Sequence, residues 1–156
     1  MPKKTSQQFE QSMGQLETTL AEYFVKKAPA MPKNIKELIV KFGPYLIILS
    51  IIISIPAVLA LFGLGAVVTS MPYGAVAMAG FGQWYMIGML FFVATLILEG
   101  LAVPGLLARK KKGWNLLFYA VVLNAIYMII QMNIIGLIIG TGLSLYIAFQ
   151  VRSMYK

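Results

Sequence analysis

The sequence predicts an all-α integral membrane protein with four transmembrane helices, and three observations carry that expectation. Apolar residues make up 60% of the 156 residues and only 12% are charged, where a soluble domain is roughly half apolar and a quarter charged. Mean hydropathy is +0.82. Four apolar runs occupy about 45–67, 84–107, 114–130 and 134–151, and a helix needs about 20 residues to cross hydrocarbon. The 13 basic residues cluster in three places that alternate with uncharged connections.

Residues 1–32 are expected to form a cytoplasmic amphipathic helix and a Pro-containing linker. Phe9, Met13, Leu16, Leu20 and Tyr23 recur at spacings of 4, 3, 4 and 3, an apolar seam at a/d positions. Thr5 or Ser6 is placed to cap that helix, and Lys26 and Lys27 suit the negative end of its dipole. Ala28-Pro29-Ala30-Met31-Pro32 breaks it. A short apolar core followed by a small-residue cleavage site is lacking, so the segment does not read as a secretory leader. The helix is marginal alone in water, so its seam needs a surface: the protein's own cytoplasmic face, lipid, or a partner.

Residues 33–44 read as a separate short interfacial helix. Ile35, Leu38, Ile39 and Phe42 share one face, with Lys33, Lys36 and Lys41 around it. Residues 45–156 are then the four-helix transmembrane domain. Pro56 interrupts the first span, and Pro104 is placed to end or kink the second. The connection 69–83 is uncharged and rich in Gly and Ala, and it is expected to be an ordered loop on the outer surface. Gln131-Met132-Asn133 is the only polar break between spans three and four, so a tight helical hairpin is expected there. A continuous 38-residue helix would be too long for the bilayer.

Charge predicts the orientation. Residues 1–44 hold seven of the 13 basic residues, Arg109–Lys112 four, and the tail after 151 two. The connections 68–83 and 131–133 hold none. The positive-inside rule then places both termini and the 108–113 loop in the cytoplasm. Tyr73, Trp84 and Tyr85 would mark the outer interface, and Tyr45, Trp114 and Tyr155 the inner one. The expected location is a membrane, the plasma membrane of a prokaryote.

Composition narrows function. The chain has no Cys, no His and no Asp, which removes thiolate and imidazole metal sites and His-based catalysis. No cofactor or metal is implied, and an enzyme is the least favoured class. The net charge of +8 flanks apolar runs and forms no groove-binding face, so nucleic acid is not an expected partner.

Glu99 is the only carboxylate side chain after Glu37. It lies ten residues before Arg109, or about 15 Å at helical rise. A charged carboxylate at mid-depth costs at least about 2.5–3.5 kcal/mol by insertion scales. Depth counting brings Asn124, Ser50, Ser54, Thr141 and Ser144 to a comparable level, and Thr95 lies one turn above. Three readings are open: a proton or cation site, a packing hydrogen bond to Asn124, Tyr119 or Tyr127, and an ion pair with Arg109 or Lys110.

Other features are weighed beside it. Gly136, Gly140, Ser144 and Ala148 form a small-residue stripe that admits a neighbouring helix, either within the chain or in another copy. Ala120, Asn124, Tyr127 and Gln131 form a polar stripe on span three. Arg109, Lys110, Lys111 and Lys112 anchor topology and can also meet anionic lipid. The Trp114-Asn115-x-x-Phe118-Tyr119 opening and the Tyr146-Ile147-x-Phe149-Gln150-x-Arg152 close resemble those of small four-span bacterial membrane proteins. No activity is carried over from that resemblance.

The expected function is a non-enzymatic subunit or scaffold of a membrane assembly, acting through helix packing and the N-terminal helix. Its partners would be the bilayer and a second copy or another membrane or cytoplasmic protein. The alternative is a small oligomeric ion channel or a proton- or cation-coupled carrier that uses Glu99.

Overall fold

The computed structural model describes residues 2–70 and 74–156, without the side chains of 2–5, 61, 64–69 and 74–83. The described residues are all helical or connecting, with no strand. Helix α1 spans Pro2–Ala21 and runs into a π-helical turn, Glu22–Lys27. Helix α2 is Lys33–Ser70, α3 is Gly74–Leu107 and α4 is Lys111–Ile130. A π-helical stretch, Gly136–Thr141, precedes α5, Gly142–Val151. Among the described residues, four helical stretches are long and apolar enough to cross a membrane: Lys33–Ala60, Trp84–Leu107, Lys111–Ile130 and Gly136–Met154.

Several boundaries differ from expectation. No break separates an interfacial helix from span one: α2 is continuous over 38 residues and carries Pro44 and Pro56 inside it. Pro44 is fully buried, and an apolar setting with neighbouring helices tolerates the missing donor. Of the face expected to be shared by Ile35, Leu38, Ile39 and Phe42, Ile35, Leu38 and Phe42 are turned outward, while Ile39 packs against the core beside the buried Val40. The connection 69–83 is largely not a loop, because α2 runs to Ser70 and α3 begins at Gly74. Met71, Pro72 and Tyr73 lie outside the described residues. Pro104 does not end α3, which continues to Leu107. Thr5 and Ser6 do not cap α1, which begins before them.

The two tight connections use one device. After α3, Arg109 takes a left-handed conformation, φ 51°. Its N–H reaches Leu106 O at 3.0 Å and the Lys110 N–H reaches Gly105 O at 2.8 Å. After α4, Met132 has φ 53°. The Met132 N–H reaches Ile129 O at 3.0 Å and the Asn133 N–H reaches Met128 O at 2.9 Å. This is the Schellman closure, with a bulky residue where Gly is usual. Asn133 then caps the next helix, its Oδ1 accepting from the Gly136 N–H at 2.9 Å. The three-residue hairpin between spans three and four therefore closes as expected.

The core gathers at the end of the bundle that carries Arg109–Lys112 and the C-terminus, called here the basic end. Val40, Leu106, Trp114, Phe118, Leu145 and Phe149 form its centre. Trp114 stacks on Phe118 at 5.5 Å, and Phe149 meets both edge-on at 5.4 and 5.7 Å. Such pairs add about 0.5–1.5 kcal/mol each beyond burial. The Trp114 indole N–H donates to Ala148 O at 2.8 Å. Trp114 and Tyr155, expected at the inner interface, are buried in the core at this end, whereas Tyr45 is exposed. The close approach of α3 and α4 depends on Gly105 and Gly113, whose backbones touch.

Helix α1 docks on this same end of its own chain. Met13, Leu20, Ala21 and Phe24 pack against the core. Phe24 stacks on Phe149 at 6.2 Å, and Phe9 lies 6.3 Å from Tyr119. Leu16 and Tyr23 face outward, contrary to the expected seam. The π-helical turn shifts the register, so Phe24 takes the inward place expected of Tyr23. Gln150 clamps the segment: its Nε2 donates to Phe24 O at 2.9 Å and its Oε1 accepts from the Met31 N–H at 3.1 Å. Tyr146 donates to Pro29 O at 2.8 Å, and Arg152 forms an ion pair with Glu17.

Candidate functional site: a polar layer around Glu99

Around Thr95 and Glu99, space remains between α3 and its neighbours, toward α2 on one side and toward α4 and the fourth stretch on the other. Polar side chains from all four long helical stretches reach that space. Two recesses result. One, about 270 Å³, is walled by Ser50 and Ser54 of α2 together with Phe91 and Phe92 of α3. The other, about 260 Å³, is walled by Met128 of α4 and by Gly140, Thr141 and Ser144. Thr95, Glu99 and Asn124 line both. The expected polar layer is therefore assembled, with Glu99 and Asn124 between its two halves.

Among the described residues, the Glu99 carboxylate has no hydrogen bond or ion pair. The expected bond to Asn124 or a tyrosine hydroxyl is not formed, nor is the ion pair with Arg109 or Lys110. Hydroxyls around it are oriented by their own helices. Ser50 donates to Ile47 O at 2.8 Å, Ser54 to Ser50 O at 2.7 Å and Thr95 to Phe91 O at 2.8 Å. Each hydroxyl has then used its proton and keeps its oxygen lone pairs as acceptors. Carboxylate, amide and hydroxyl oxygens of this kind receive a proton or a hard cation.

A larger hollow, about 620 Å³, opens toward the other end of the bundle between Ala57, Ala60, Trp84 and Gly88. Phe92 and Tyr127 line both it and the Ser54 recess. Tyr127 thus stands between the hollow and Glu99. Its ring stacks on Phe91 at 5.4 Å and its hydroxyl accepts from Gln131 Nε2 at 2.6 Å. Gly88 makes room for that hydroxyl, since a Cβ there would lie 2.7 Å from it. Toward the basic end the way is filled by the Trp114, Phe118 and Phe149 cluster.

The small-residue stripe of the fourth span splits. Gly136 faces Asn133 of its own hairpin, Gly140 lies near Met128 of α4, and Ala148 is buried against Trp114. Ser144 is exposed and lines the Glu99 recess. The π-helical stretch Gly136–Thr141 breaks the four-residue period, so the stripe does not form one continuous face. Arg109, Lys110, Lys111 and Lys112 are all exposed. Sequence reasoning missed Met128, whose sulfur lies 3.9 Å from the Thr141 hydroxyl, and the clamp residue Gln150. A buried Gln in the last turn of an apolar span was the available signal for the second.

Fold and site together define a small helical protein that has, among the described residues, four membrane-length stretches, with the unpaired Glu99 carboxylate lining two recesses between them. Comparison with protein families, with curated proteins and with solved structures finds no match.

Proposed function

We propose that the chain is a non-enzymatic integral membrane protein, cytoplasmic at its basic end, that binds and passes a proton or small cation at Glu99. The observation that carries this is the unpaired carboxylate shared by two oxygen-lined recesses. An intramembrane ionisable group that serves packing alone is expected to have a partner, and Glu99 has none among the described residues. The hollow beyond Tyr127 supports access from the outer side, and the aromatic cluster supports a closed inner side. Dicyclohexylcarbodiimide, an apolar reagent for protonated carboxyls, tests the reading by mass spectrometry of the intact protein. The expected result is one adduct, mapped to Glu99 and increasing as pH falls. Adducts confined to Glu10, Glu17, Glu22 or Glu37 would contradict it.

The assembly reading rests on a narrower base than the sequence offered, because the inward seam of α1 is occupied by the chain itself. One observation still favours it: Leu16 and Tyr23 remain outward, 38% and 54% exposed. Pull-down from native membranes with Leu16→Ser and Tyr23→Ser tests it. Unchanged co-purification would remove that surface from consideration.

A further inference from the structure

Independently of Glu99, the basic end contains a hollow of about 280 Å³ where cations from three distant parts of the chain meet. Lys36 of α2, Lys111 of α4 and Arg152 beyond α5 all line it, with Ser153 and Tyr155 adding hydroxyls. Lys36 and Lys111 stand in the opening turns of their helices, and neither turn contains an acidic residue. Cations there oppose the positive ends of two helix dipoles. Arg152 has the Glu17 carboxylate beside it, and no acidic residue lines the hollow. Three cations and two helix N-termini against one carboxylate leave a local excess of positive charge that an anion would relieve. The neighbouring basic residues Lys110 and Lys112 do not line the hollow.

We propose that this hollow is a phosphate-binding site, suited to a doubly charged phosphate monoester. Arg152 offers a planar fork that matches phosphate, and Lys36 and Lys111 act as point charges. The buried Tyr155 and the exposed Ser153 supply O–H donors. The same chemistry is found in a lipid headgroup and in free phosphate, and the location beside α2 and α4 favours the lipid.

The test uses full-length protein in three settings: phosphatidylcholine nanodiscs alone, the same with phosphatidic acid, and phosphatidylcholine nanodiscs with inorganic phosphate. Binding is read by native mass spectrometry and by Trp114 emission, since the Arg152 guanidinium lies 5.4 Å from the Trp114 ring. The variant is Lys36→Gln with Lys111→Gln. The control is Lys110→Gln with Lys112→Gln, which removes the same charge from outside the hollow. The proposal expects the Lys36/Lys111 variant to lose roughly tenfold or more in affinity for phosphatidic acid, while the control stays within about twofold. Response to inorganic phosphate, lost in the same variant, would assign the site to the free anion. Equal losses in both variants would overturn the proposal in favour of general surface attraction, and no binding in any setting would overturn it outright.

Discussion

Gly113→Ala is the sharpest single test of how α3 and α4 are held. A Cβ at Gly113 would lie 2.3 Å from Gly105 C and 2.4 Å from Leu106 N, where ordinary contact begins at 3.4 Å. The atoms met are backbone, so no side chain can swing aside. The helices must part by about 1 Å, and overpacking of that kind costs about 1–3 kcal/mol. The next residue is Trp114, fully buried, with its N–H on Ala148 O at 2.8 Å. Straining that bond adds about 0.5–1.5 kcal/mol. The sum, about 1.5–4.5 kcal/mol, lowers Tm by roughly 3–18 °C for a chain of this size. A thermal melt in detergent, followed by Trp114 emission in a Trp84→Phe background, reads it. Gly14→Ala is the control: nothing lies within 4 Å, so helix propensity alone should raise stability by up to about 1 kcal/mol. A Gly113→Ala melt within about 2 °C of the parent would refute the backbone contact.

Three further outcomes follow from the same geometry. Met132→Gly relieves a left-handed conformation at φ 53° and should stabilise by about 1 kcal/mol, seen as a higher Tm; a lower Tm would contradict the Schellman closure. Gln150→Leu strips the Phe24 carbonyl and the Met31 N–H of their partner, and at about 1–3 kcal/mol should speed tryptic cleavage at Lys26 and Lys27 roughly tenfold. Unchanged cleavage would mean that Gln150 does not hold the segment. Burial pushes the Tyr155 phenol above its usual range, and Arg109 offsets this in part. A raised folded-state value gives stability that is full below pH about 10 and lost as pH climbs past it. Tyr155→Phe should therefore lose less stability than the parent on alkaline titration, and identical titration curves would count against the burial argument.

Much of the architecture was legible because membrane-length apolar runs are a strong signal. The hairpin at 131–133 and the end of the second stretch at Leu107 follow from polar breaks in those runs. The joining of 33–44 to span one was not legible: Pro44 normally marks a boundary, and only burial of its ring in an apolar setting lets α2 continue. The helical character of 74–83 was masked by its Gly and Ala content, which resembles a loop in composition. Depth counting brought Glu99, Asn124, Ser54, Thr141 and Ser144 to one level, because helical rise per residue is constant and their distances from the spans' ends are similar. It could not tell whether they bond, since that depends on side-chain rotation. The register of α1 was lost by one position, Phe24 for Tyr23, because a π-helical turn inserts a residue that no apolar period announces.

Proteoliposome flux is the most direct measurement of the Glu99 account. Purified protein and Glu99→Gln are reconstituted in parallel, and proton and monovalent cation movement is followed under an imposed gradient. Flux is expected with the parent and background leakage with Glu99→Gln, with both proteins inserted to the same extent. Equal flux in the two, or none in either, would contradict it.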